Sequence, residues 1–132
     1  MNPAKLEREL MRGAGPTAVL NLLSNKEMYG YELVVALAER TEGVLAMGQS
    51  TLYPMLYNLE AKGLIRARWE EPGDGGGRAR KYYSLTKQGR ERLTTDTDQW
   101  NRLVTALRGL GIVDSPPGHA KPAQITETGV LA

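Results

Sequence analysis

Apolar residues recur along this chain in two rhythms, one with the spacing of a helix and one with the spacing of a strand. Between residues 4 and 24, Leu6, Leu10, Val19, Leu20, Leu22 and Leu23 follow the helical spacing, but Gly13, Gly15 and Pro16 interrupt it. The pattern predicts a short lead-in, a break, and then a helix. Residues 29–40, YGYELVVALAER, put Leu33, Val34, Leu37 and Ala38 on one face of a second helix. The next stretch, TEGVLAMGQ, is short and flanked by glycine, and reads as a turn followed by a short strand.

A third helix covers 49–62. Its residues Leu52, Met55, Leu56 and Leu59 fall within an arc of about 100°, the width of a core-facing stripe. Lys62-Gly63 closes it, where glycine can take the left-handed C-cap conformation. From Leu64 to Glu70 the period shortens to two, with Ile65, Ala67 and Trp69 as the burying face and Leu64, Arg66 and Arg68 opposite. PGDGGG, 72–77, is a strong turn signal, and RARKYYSLT resumes the strand pattern, so the whole reads as a long-tipped hairpin. Alternation expects one of Tyr82 and Tyr83 to be buried and the other exposed.

From Lys87 to Leu110 the helical pattern returns. Leu93, Trp100 and Leu107 recur every seven residues, with Leu103 and Leu110 at the complementary positions, as in a coiled-coil seam. Such a helix spans on the order of 35 Å, more than a small core needs for its own closure. Beyond Gly111, SPPGHAKPAQITETG has the composition of a disordered tail.

Composition narrows the chemistry. The 132 residues suit one domain, and 41% apolar with 24% charged residues is ordinary for a folded protein. No apolar run approaches the roughly 18 residues that cross a bilayer, and MNPAKLEREL is acidic where a secretory signal is apolar, so the expected place is the cytoplasm, away from membranes. There is no cysteine, and the single histidine, His119, lies in the Pro/Gly-rich tail. Disulfides, zinc-thiolate sites and thiol catalysis are excluded; no catalytic residue, metal site or cofactor is expected.

Charge sharpens the picture further. Residues 1–65 carry six Lys/Arg against seven Asp/Glu, residues 66–92 eight against four, and residues 93–132 three against four. Only the hairpin region is basic, which can attract a polyanion even in a chain of net charge +2. In the third helix, Ser50, Pro54, Tyr57, Asn58 and Ala61 lie opposite the apolar stripe, with Thr51 and Tyr53 at its flanks. This outer face is uncharged and rich in hydrogen-bonding groups, which suits base edges and phosphates, or else another protein. Pro54 sits early in the helix, where the N–H it lacks has little or nothing to lose.

The succession of a first helix, YGYEL, STLYPMLYNLEAKGLI, a basic hairpin ending RKYYSLTKQGRERL, and a helix with a tryptophan resembles the PadR family of bacterial winged helix-turn-helix transcriptional regulators, over roughly residues 10–107. The resemblance implies a mainly α (α+β) fold: a winged helix-turn-helix over 1–86, a long dimerisation helix over 87–110 and a tail over 111–132. It implies a DNA-binding repressor that works as a homodimer and not as an enzyme. Tyr53 and Pro54 match the Tyr-Pro pair of the family's recognition helix, so Gln49, Ser50, Thr51, Tyr53, Pro54, Tyr57 and Asn58 are expected to face the operator.

Gly30 and Tyr31 match the Gly-Tyr that opens the second helix, where N–H groups can meet a phosphate; Tyr31 also reads as a core residue with a wet hydroxyl, the reading favoured here. Lys81, Tyr82 and Tyr83 match the wing's return strand, and Arg78, Arg80 and Lys81 are the expected phosphate contacts, with Arg66 and Arg68 either helping or merely solvated. Leu93, Trp100, Leu103 and Leu107 are expected at the dimer contact. The single short last helix resembles the small subclass, in some members of which planar apolar compounds bind near tryptophans between subunits; Trp100 is therefore a dimer anchor first and an effector contact second. The alternative to a regulator is a dimeric helical protein that sequesters a hydrophobic ligand or a partner protein.

Overall fold

The computed structural model describes residues 3–73 and 76–115. Helix α1 runs Pro3–Asn25, strand β1 Met28–Tyr29, helix α2 Gly30–Arg40, helix α3 Gln49–Ala61, strands β2 and β3 Ile65–Glu70 and Arg80–Leu85, and helix α4 Lys87–Gly109. The chain divides into two compact units, Met1–Asp96 and Thr97–Ala132, with the boundary inside α4. The expected tail lies almost entirely outside the described residues.

The first unit closes around one core. Val19, Leu20, Leu22 and Leu23 of α1, Leu33 and Leu37 of α2, Leu52, Leu56 and Leu59 of α3, and Ile65, Tyr83 and Leu85 of the sheet are all buried, with Met28 and Met47 filling the gaps between elements. These are the stripes that the helical periodicity marks out. Fully burying side chains of this size contributes about 1.5–3 kcal/mol each before the cost of ordering them.

The expected break in α1 does not occur. Pro16 lies inside one continuous helix, although an interior proline costs roughly 3 kcal/mol in isolation. Its ring removes the bond to the carbonyl of Arg12, an exposed residue, while the buried Val19, Leu20, Leu22 and Leu23 hold the following turns in helical frame. Packing outweighs propensity here.

The third strand is not in residues 41–49. Those residues wind into turns, where the Thr41 hydroxyl accepts from the Leu45 N–H and the Gly43 N–H reaches the Ala38 carbonyl. The strand is β1, which pairs antiparallel with β3 through Met28 with Tyr83 and Tyr29 with Tyr82. Strand β2 lies on the other side of β3, so the order is β1-β3-β2. A two-residue strand shows no alternation, which is why periodicity misses it.

In the hairpin, β2 and β3 pair from Ile65–Leu85 out to Glu70–Arg80. Ile65 is buried and Ala67 half-buried, as expected, but Trp69 is 64% exposed. Alternation identifies its face correctly and its depth wrongly: Trp69 pairs with Lys81, one step beyond the last residue pair that rests on the core. Of the paired tyrosines, Tyr83 is buried and Tyr82 half-buried.

Two helices end alike. Leu64 donates to the Leu59 carbonyl and Gly63 to that of Glu60, while Ile112 donates to Leu107 and Gly111 to Arg108. Gly63 and Gly111 have φ of 75° and 81°, so both ends are left-handed glycine caps of the Schellman type. At the start of α4 the Thr86 hydroxyl accepts from the Gly89 N–H at 3.0 Å and donates to the Gly63 carbonyl at 2.7 Å. One threonine thus caps α4 and ties it to the end of α3.

Candidate nucleic-acid interface

Helix α3 presents two faces. Leu52, Leu56 and Leu59 point inward and are buried, with Met55 half-buried beside them; Gln49, Ser50, Thr51, Tyr53, Pro54, Tyr57 and Asn58 are all exposed. Tyr57 is the most prominent, at 72% exposure. Pro54 is the sixth residue of the helix and leaves the Ser50 carbonyl without its helical partner on this outer face. The exposed surface of α3 therefore offers hydroxyls, two amides and two phenols, with no charged side chain before Glu60.

Tyr53 is also a structural contact. Its ring lies against Gly30, where a Cβ would meet the Tyr53 hydroxyl at 2.6 Å. This fixes the entry to α2 beside α3. The Tyr29 N–H at that entry donates to Glu32 Oε1 at 3.2 Å, satisfying one of the first-turn donors. Gly30 is buried, but Tyr31 is 59% exposed. The expectation of a core tyrosine at 31 is corrected: the stripe of α2 is complete with Leu33 and Leu37, and the helix opens with Tyr31 on its solvent side.

The cations of the hairpin sort into two groups. Arg68 is committed to neighbours: its Nε donates to Glu27 Oε2 at 3.0 Å, Nη2 pairs with Glu27 Oε1, Nη1 lies 3.3 Å from Glu70, and the guanidinium sits 4.8 Å from the centre of the Tyr82 ring. The hydrogen-bonded Arg68 holds the Glu27 carboxyl below the usual carboxylate range. Lys81 is half-buried, 3.7 Å from Glu60 of α3 and over the rings of Tyr83 and Trp69. Arg80 stacks 4.7 Å from the Tyr29 ring centre but remains exposed, and Arg66 and Arg78 are exposed with no ion pair among the described residues. The unpaired positive charge therefore sits on Arg78 and Arg80 toward the tip and on Arg66 near the base of β2. Burial pushes the Tyr83 hydroxyl up, so it is neutral.

The leucines of α4 divide as well. Leu93, within the first unit, packs against the core. In the second unit Trp100 and Leu107 are half-buried, while Leu103 is 48% exposed and Leu110 and Ile112 are more exposed still. Sequence reasoning missed the Glu27–Arg68 pair, which joins residues 41 apart, and the exposure of Trp69; neither leaves a local signal.

Three helices, a small antiparallel sheet with a projecting hairpin, and an exposed uncharged helix face beside it define a winged helix-turn-helix module. The Transcriptional regulator PadR-like family model matches residues 19–95, and the chain belongs to that family of transcriptional regulators. A Streptococcus transcriptional regulator of known crystal structure is 37% identical, with a TM-score of 0.66 over 77% of this chain and 96% of that one. A PadR family regulator from Eggerthella lenta is 34% identical, with a TM-score of 0.65 over 81% and 86%. Transcriptional regulator Rv3488 of Mycobacterium tuberculosis is 33% identical over 102 residues, 77% of this chain and 90% of the relative. Among the described residues no helix is long and apolar enough to cross a membrane.

Proposed function

We propose that this regulator is a repressor that binds a pseudo-palindromic DNA operator as a homodimer and is released by a small hydrophobic effector. In this reading α3 enters the major groove and presents Gln49, Ser50, Thr51, Tyr53, Pro54, Tyr57 and Asn58 to base edges and flanking phosphates. Arg78 and Arg80 of the wing meet phosphate, with Lys81 contributing less because Glu60 shares its charge, and Gly30 and Tyr31 lie at a second backbone contact. Trp100, Leu103 and Leu107 of α4, with Leu93 at its base, pair two subunits. Two-fold symmetry then sets half-sites one or two helical turns apart, about 10 or 20 bp.

The observation that carries the reading is the outer face of α3: exposed along its length, uncharged, and flanked by a wing that carries the unpaired cations Arg66, Arg78 and Arg80. A merely solvated helix face carries more Lys and Glu than this one.

Selection of genomic fragments with the purified protein tests the reading and reports operator, symmetry and neighbouring gene together. Arg78→Ala/Arg80→Ala is expected to weaken binding to all selected fragments and to reduce the slope of log K against log salt by about 0.9 per lost phosphate contact. Tyr57→Ala and Asn58→Ala are expected instead to change which fragments are preferred, by about 1–3 kcal/mol at the contacted base pair. The reading fails if no fragment is enriched, or if these substitutions leave binding and preference unchanged.

A further inference from the structure

The hairpin holds one aromatic ring that the core does not use. Residues directly opposite each other in an antiparallel ladder share a face, so Ile65, Ala67 and Trp69 lie together with Leu85, Tyr83 and Lys81. The inner pairs rest on the core; the Trp69–Lys81 pair overhangs it, and the Trp69 ring stays 64% exposed. An indole left this open forgoes the burial that a tryptophan side chain ordinarily gains.

The overhang lies on the side of the sheet that α3 occupies. Lys81 Nζ stands 5.9 Å from the Trp69 ring centre and 3.7 Å from Glu60 Oε1 of α3. Tyr57 and Tyr53 come three and seven residues before Glu60, hence on the same side of the helix, and both are exposed. Trp69, Lys81, Tyr57 and Tyr53 therefore border the corner between the outer face of α3 and the wing.

Charge and position choose the occupant of that corner. No position on this face of the ladder carries a carboxylate, because Glu27 and Glu70 are engaged with Arg68 on the other face. A duplex whose major groove receives α3 has to pass one of its strands between that helix and the wing. Such a strand offers phosphate to the cation and deoxyribose to the ring. Trp69 stands on β2, with Glu70 and Glu71 between it and Pro72 of the turn, so its ring meets backbone and not the floor of a groove.

We propose that Trp69 is a further DNA contact, packing its ring on the deoxyriboses of the strand that runs between α3 and the wing, while Lys81 exchanges Glu60 for a phosphate of that strand. The contact adds affinity without sequence choice, since the sugar is the same at every base pair. The inference rests on the DNA-binding reading and adds to it an apolar contact from the wing.

The test uses the full chain and a genomic fragment that it enriches. Trp69→Ala should weaken binding about tenfold and leave the slope of log K against log salt unchanged, because a sugar contact releases no counterion. Lys81→Ala should instead lower that slope, by about 0.9 for the one phosphate. Trp69→Phe keeps a ring and should recover most of the affinity. Adding the fragment should change the tryptophan emission of the parent more than that of Trp69→Phe, in which only Trp100 remains. The emission comparison needs only the phenylalanine variant, so it decides even if the alanine variant does not fold.

The proposal is overturned if Trp69→Ala binds the fragment as the parent does, if its salt slope falls as for a lost phosphate contact, or if the emission of parent and Trp69→Phe changes equally. It is also overturned if Trp69→Ala alters self-association in sedimentation equilibrium without DNA, which would assign the ring to a second copy. In all these cases the parent still binds its fragment and the DNA reading stands; a parent that enriches no fragment sinks both.

Discussion

The ring of Tyr53 fills the space that a side chain at residue 30 would need: a Cβ built on Gly30 would lie 2.6 Å from the Tyr53 hydroxyl and 2.9 Å from Cε1. The first turns of α2 and α3 are therefore set against each other by one glycine and one tyrosine. Gly30→Ala is expected to destabilise the protein by about 1–3 kcal/mol through overpacking. Tyr53→Ala makes room, so the double variant should be more stable than the sum of the two single changes implies, by a coupling of about 0.5–3 kcal/mol. Urea denaturation of the four proteins measures that coupling, and simple additivity would remove the contact from the account.

Gly89 is a harsher case. A Cβ there would sit 2.0 Å from the Leu64 carbonyl oxygen, a backbone atom that cannot rotate away. Gly89→Ala should cost about 3 kcal/mol or more, and more than Gly30→Ala, whose obstacle is a side chain. Thermal unfolding of both variants gives the ranking.

The Glu27–Arg68 pair ties the residue just before β1 to the middle of β2. Because Arg68 lowers the folded-state pKa of Glu27, the pair's contribution is present above the ordinary glutamate pKa, about 4.3, and is lost as pH falls through the lower folded value. Parent and Glu27→Gln should therefore differ in melting temperature at pH 7 and converge once the pH has fallen below the folded-state value of Glu27. Both side chains are exposed, so the difference at pH 7 should be small and should shrink further in high salt.

Leu93 and Leu103 share one heptad pattern but meet different surroundings. Leu93→Ala should lower the stability of the first unit, by up to about 2–3 kcal/mol given its partial burial. Leu103→Ala, at an exposed site, should leave that unit's stability within about 0.5 kcal/mol and instead raise the dissociation constant of the proposed homodimer. Denaturation together with sedimentation equilibrium separates the two effects; a Leu103→Ala protein that unfolds early while remaining dimeric would reverse the assignment.

How much of this was legible in the residues depends on how local each cause is. The stripe Leu52, Met55, Leu56, Leu59 and the glycine cap at 63 are written into a few consecutive positions, and the helix and its end fall where that pattern puts them. Pro16 misleads because its local cost is real but smaller than the gain from burying Val19, Leu20, Leu22 and Leu23 after it. Met28 and Tyr29 become a strand only because Tyr82 and Tyr83, more than fifty residues later, lie alongside. Trp69 misleads in another way, since alternation encodes direction and not distance from the core. In the site, the outer face of α3 could be read directly, whereas the sorting of wing cations into paired and unpaired required knowing that Glu27 and Glu60 face them.

The β2–β3 ladder, in register from Ile65–Leu85 outward, has a consequence for how this protein can diversify. Because side chains alternate between faces with a period of two, residues inserted or removed in matched pairs, one on each strand beyond Trp69, lengthen or shorten the wing while keeping every inner residue on its side. A change of one residue on one strand forces a bulge instead. The reach of the wing is thus adjustable in steps of roughly 3.3 Å per matched pair, independently of the core and of α3.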